Sequence, residues 1–139
     1  MRDGGRIAAA IEIVEDIEAR RKPAKLAMKA WGDAHRFAGS GDRAWIAGLV
    51  LDALRRRRSL AWIMEADSPR AVCLGVLRYV WAWPLDRIAA ACAETPHGPG
   101  ELTSAEGRRL APAARTHALH AAARSVQHRQ DADRGQVPS

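Results

Sequence analysis
One stretch, Ser40 to Trp62, constrains this chain more than any other. It reads SGDRAWIAGLVLDALRRRRSLAW. Ile46, Leu49, Val50, Ala53 and Leu54 fall at i, i+3, i+4, i+7 and i+8, the apolar stripe of a helix with 3.6 residues per turn. Ser40 is placed to cap the start, Asp42 suits the positive end of the helix, and the arginines suit the negative end. At 100° per residue, Arg55 and Arg58 point away from the stripe, Arg56 lies at its edge and Arg57 points nearly along it. Arg57 is therefore expected where the helix leaves the core. Ser59 to Glu65 reads as the tail of this helix or as a short helix of its own.

The flanking segments carry the same periodicity. Residues 5 to 21 form an expected first helix, with Ile7, Ile11, Val14 and Ile17 inward and Glu12, Glu15, Asp16 and Glu18 on a solvated face. Pro23 fits the first turn of a second helix running to about His35 and burying Ala27, Met28 and Trp31. Asp67-Ser68-Pro69 is a start signal for a helix over 69–83 that is apolar on most sides. Pro84 breaks it, and Leu85 to Ala93 resumes as another helix. Thr103-Ser104-Ala105-Glu106 has capping-box spacing and opens a short helix to about Ala111. No segment alternates with period two, so the expected fold class is all-α.

A resemblance enters at the central stretch. Asp42-Arg43-Ala44, Leu49-Val50, Asp52-Ala53-Leu54-Arg55-Arg56-Arg57, then Leu60 and Trp62 resemble the signature of the NusB-like N-terminal domain in the Sun/Fmu (RsmB/NOP) family of rRNA cytosine-C5 methyltransferases. The run His35 to Arg43 and the opening Met1 to Ala10 are similar to the same domain, and the resemblance covers about residues 1 to 110. Leu51 stands where an aromatic is common and Ala53 where glycine is common; both changes keep the packing. The resemblance implies a NusB-like helical bundle over residues 1–111 that docks ribosomal RNA for a catalytic domain. That domain would bind S-adenosyl-L-methionine and carry cysteine nucleophiles. Neither element is legible here, so this chain is expected to bind without catalysing. Residues 112–139, rich in Ala, Arg, His and Gln, match no linker or catalytic domain. They read as a weakly ordered tail, with a weak helix over 113–126, left by a truncated or frameshifted gene.

Charge agrees with an RNA partner without proving one. The chain has 22 Lys plus Arg against 16 Asp plus Glu, a formal +6, and most of the bases are arginine. Such a balance suits polyanions, or else reflects solubility and GC-rich codons. Arg36, Arg43, Arg55, Arg56 and Arg58 are the expected phosphate contacts, supplying affinity and orientation rather than sequence readout. Their alternative role is a solvated surface matched to the helix dipole.

Other chemistry is weaker. Gly39-Ser40-Gly41 could cradle phosphate, but it lacks the preceding strand and the Gly-Lys-Ser/Thr of a P-loop, and reads as a helix-start turn. Cys73 and Cys92 sit in apolar helical contexts and read as inert core thiols in a reducing cytoplasm. His117 and His120 share a helix face without cysteine or carboxylate partners, so no metal is expected. No apolar run spans a bilayer or precedes a cleavage site. Trp31, Trp62 and Trp81 are expected in the core. Trp45 and Trp83 flank the stripes and are expected at the core edge, since aromatic rings carry large buried area; an exposed indole there would instead stack on an unpaired base. Two other readings stand beside RNA binding: a protein-interaction module that uses the 69–83 helix, or a non-functional remnant of such an enzyme. A separately encoded catalytic chain is a further expected partner.

Overall fold
The computed structural model describes residues 1–111 of the 139-residue chain. The expected 113–126 helix, the tail and the His117/His120 pair lie outside these residues. All regular structure among the described residues is helical: α1 (Asp3–Arg20), α2 (Ala24–Ala34), α3 (Ser40–Arg55), α4 (Arg57–Met64), α5 (Pro69–Gly75, running on as a π-turn over Val76–Val80), α6 (Leu85–Cys92) and α7 (Ser104–Leu110). The all-α expectation holds.

The core is built around α5. Seven consecutive residues, Ala71 to Leu77, are buried, so this helix meets protein on every side. α1, α3 and α4 pack directly on it, α2 and α6 lie against α1, and α7 lies against α4. α1 presents Ile7, Ala10, Ile11 and Val14 as expected, with Ile13 added. α3 buries Ile46, Leu49, Val50 and Ala53, while Leu54 is half-buried at the edge. Gly4 sets how closely α1 approaches α6: a Cβ there would lie 2.4 Å from the carbonyl oxygen of Ala91. Both expected start signals form. Ser68 accepts from the Ala71 amide with Pro69 in the first turn. Thr103 and Glu106 exchange their reciprocal bonds.

Four expectations need correction, three of them in how the helices run. First, the arginine run does not close the central helix: α3 ends at Arg55, and Ser59 to Met64 belong to a separate helix, one of the two readings offered for that segment. The break falls at Arg56, whose backbone (φ −116°, ψ 24°) leaves the helical region. The cause lies in tertiary contacts. Arg57 turns back to grip Glu18 of α1 in a bidentate pair (2.6 and 3.0 Å) and reaches Asp67 at 2.6 Å. Arg57 and Arg58 thus open α4, where the helix dipole is unfavourable to cations, instead of closing α3. Second, Ser40 does not cap α3. The flanking residue is Gly39, and Asp42 folds back on its amide at 3.4 Å. Third, the 69–83 helix leaves α-helical register. The Trp81 amide bonds to Val76 at 2.9 Å and the Trp83 amide to Leu77 at 2.8 Å, one and two residues further than an α-helix allows.

That longer turn swings two indoles onto α3. The Trp81 ring N–H donates to Asp52 at 2.8 Å, and its ring meets Trp45 edge-on at 5.1 Å between centroids. Trp83, expected at the core edge, is buried beneath the Arg87 guanidinium, 3.6 Å from the ring centroid. Trp62, expected in the core, is 73% exposed. Residues Leu60, Ile63 and Met64 form the buried face of α4, and Trp62 falls off it.

Arg70 fastens the last loop to the start of α5. Its guanidinium donates to both Glu106 oxygens (2.8 and 3.1 Å) and to the carbonyls of Pro99, Gly100 and Glu101. Burial acts to raise the Glu106 carboxyl, but the bonds from Arg70 and Thr103 outweigh it and hold it below its usual value. A carboxylate depressed in this way adds stability that is complete above its unfolded pKa, about 4.3, and is lost as pH falls through the folded value. The urea midpoint of the parent should therefore approach that of Glu106→Gln as pH drops below about 4.3. A gap that stays constant with pH would show that the pair does not titrate with folding. Separately, Leu49→Ala should cost roughly 2–5 kcal/mol by chemical denaturation, and Leu54→Ala distinctly less, because only Leu49 is fully buried. Equal costs would place the two on the same face.

Candidate nucleic-acid interface
The five arginines singled out in the sequence fall into two groups at opposite ends of α3. Arg43 and Arg55 are twelve residues apart, which a rise of 1.5 Å per residue places about 18 Å apart along the axis. Arg36 lies in the 35–38 turn beside the N-terminal end, and Arg55, Arg56 and Arg58 surround the α3–α4 corner.

Their environments differ as much as their positions. Arg43 donates from Nε to the Ala38 carbonyl at 3.1 Å and so ties α3 to the preceding turn. Arg56 has a side chain only 16% exposed, 3.5 Å from the Asp52 carboxylate that also accepts from Trp81. Both serve the fold. Arg55 stands 3.8 Å from Asp52 and is about half exposed. Arg36 and Arg58 are exposed and make no ion pair among the described residues.

The α3–α4 corner gathers what a strand of nucleic acid needs. Arg58 and Trp62 are one turn apart on α4, both exposed, and line a shallow hollow with Arg57, Ala61, Glu65, Ala66 and Asp67. The hollow holds two acids, but each has a cation of its own: Asp67 pairs with Arg57, and Glu65 with Arg109 of α7. Arg58 is left as the uncompensated charge beside an open indole. An exposed ring offers a face for base stacking and the guanidinium a phosphate contact. The sequence reading placed the charges here but assigned the ring to the core. The spacing of Leu60, Ile63 and Met64, which leaves Trp62 off their face, was the signal that could have found it.

The Gly39-Ser40-Gly41 turn does not suit phosphate. The Asp42 carboxylate lies against the Gly39 amide and is held there by Arg6 at 2.8 and 2.9 Å. The hydrogen bond from Arg6 is the main reason its pKa is lowered, so the turn presents an anion where a phosphate would bind. For the same reason, and because this turn joins two helices, it does not fit the strand-to-helix glycine turn that S-adenosyl-L-methionine sites use. No group of three metal-ligating side chains occurs among the described residues, and none of their helices is long and apolar enough to cross a membrane. The chain matches no known family, no curated protein and no solved structure.

Both thiols are enclosed. Burial pushes Cys73 up to about 12 and Cys92 up to about 11, far from the thiolate range that a nucleophile needs. An aromatic disulfide reagent at pH 8 should therefore label neither thiol in the native protein within minutes, and both after unfolding. Rapid native labelling of either would mean that the core around α5 or α6 opens readily.

Proposed function
We propose that this chain is an RNA-binding helical domain of the NusB-like kind, docking ribosomal RNA for cytosine methylation carried out by a domain or chain that holds S-adenosyl-L-methionine. The observation that carries the reading is the exposed Trp62 beside the uncompensated Arg58, with Arg55 on the adjoining end of α3. Acidic neighbours that would repel a phosphate are already engaged by Arg57 and Arg109. A partner-binding role for the 69–83 segment has no comparable support, because Ala71 to Leu77 are enclosed by the chain's own helices.

The test separates binding from folding. Arg55→Gln/Arg58→Gln removes two charges without opening the core, since Gln is a comparable helix former. Arg56 is left in place because it holds Asp52. The double variant should melt near the parent temperature. Its affinity for single-stranded ribosomal RNA fragments should fall, and the log–log salt slope should flatten by about 0.7 unit for each arginine. Trp62→Ala should weaken the same RNA roughly tenfold, the scale of one stacked base. Unchanged affinity and slope in both variants would move RNA away from this corner.

A further inference from the structure
One partner in the α3–α4 corner comes from elsewhere in the fold. Asp67 is neutralised from within the hollow by Arg57, but the cation on Glu65 is Arg109, near the end of α7. Glu65 stands where local physics disfavours a carboxylate. It closes α4 in the left-handed region (φ 50°, ψ 37°), which favours glycine, and it adds negative charge at the negative end of a helix dipole. It nevertheless lines the hollow with Arg58 and Trp62, which precede it by seven and three residues. Along α4 the indole therefore has a cation one turn before it and a carboxylate about one turn after it. A strand tracking past the ring to reach Arg58 meets Glu65 on the far side, and an unmasked carboxylate there would repel its phosphates.

The end of α7 is itself held by the π-turn. Arg78 donates to the Leu110 carbonyl at 2.7 Å, and the Tyr79 hydroxyl donates to the Arg109 carbonyl. Both donors belong to the Val76–Val80 segment, and such longer turns are frequent at functional sites. Tyr79 is buried, so its hydroxyl fixes the Arg109 backbone from inside the core. The Arg109 side chain is 27% exposed and that of Glu65 51%. The cation is thus backed by protein, whereas the carboxylate it engages is open to whatever enters the hollow.

We infer that the end of α7 controls phosphate binding at the Trp62 hollow, with Arg109 as the positioning residue that withholds Glu65 from the RNA backbone. The inference rests on the RNA reading of this corner and adds its regulation. The full chain and its variants would be titrated against a fluorescently labelled oligouridylate at low salt, well below each melting temperature. Arg109→Gln should weaken binding about two- to fivefold, the span of an exposed ion pair, and Arg109→Lys, which keeps the charge, distinctly less. Adding Glu65→Gln to Arg109→Gln should restore the parent affinity. Arg108→Gln removes the same charge from the adjoining position, which is exposed and makes no ion pair among the described residues, and should cost less than Arg109→Gln. Tyr79→Phe changes no charge; it should weaken binding in the parent and have no effect beside Glu65→Gln. Equal losses from Arg108→Gln and Arg109→Gln would reduce the effect to net charge and overturn the inference. A loss that persists in the Arg109→Gln/Glu65→Gln variant would make Arg109 a direct phosphate contact and overturn it as well. Binding that needs Arg58 and Trp62 but ignores Arg109 sinks this inference alone. A parent that binds no oligonucleotide sinks the RNA reading and this inference with it.

Discussion
Everything in this fold follows from a helix that has no wet side. A short helix whose residues Ala71 to Leu77 are all buried must be covered around its whole circumference. Isolated, it would be neither soluble nor long enough to be stable. α1, α3 and α4 supply the cover, and the chain order demands that α4 turn sharply after α3 to reach it. The break at Arg56 meets that demand. The Arg57–Glu18 pair then fixes α4 to α1 across the enclosed helix, and Arg70 secures its entry by collecting the carbonyls of the 99–101 loop.

The distribution of charge follows from the same packing. A formal +6 suggests a uniformly basic surface, yet many guanidiniums act as hydrogen-bond forks inside the structure. Arg6, Arg57 and Arg70 bridge elements far apart in sequence, and Arg78 donates to the Leu110 carbonyl at 2.7 Å. Arginine suits this role because its planar fork satisfies several acceptors at once. Of the arginines expected to meet phosphate, Arg36, Arg55 and Arg58 remain for a partner, alongside other exposed cations such as Arg21, Lys25 and Arg108. Net charge alone does not distinguish these from the structural arginines; the identity of the acids beside them does.

Local periodicity made the helices legible. Stripe positions such as Ile7, Val14, Leu49 and Val50, and the Ser68 and Thr103 caps, depend on neighbours within one or two turns. The features that escaped depend on distant partners. Four arginines carry no breaker, so nothing local reports that Arg57 turns toward Glu18, 39 positions away. Trp62 was assigned by size, although phase on α4 decides exposure. Of the candidate site, the arginines were legible but their division into structural and exposed members was not.

The π-turn over Val76–Val80 also sets a rule for how this chain can change in length. A π-turn is the trace of one residue more than an α-helix would hold. Removing a single residue there would restore ordinary helical bonding and rotate everything downstream by about 100°. Trp81 would leave Asp52, and that carboxylate would be left to Arg55 and Arg56 alone. Related chains that keep the tryptophan-to-aspartate bond must therefore keep the residue count between Gly75 and Trp81, even where side chains drift. A one-residue gap in the π-turn would therefore mark a different interface on α3.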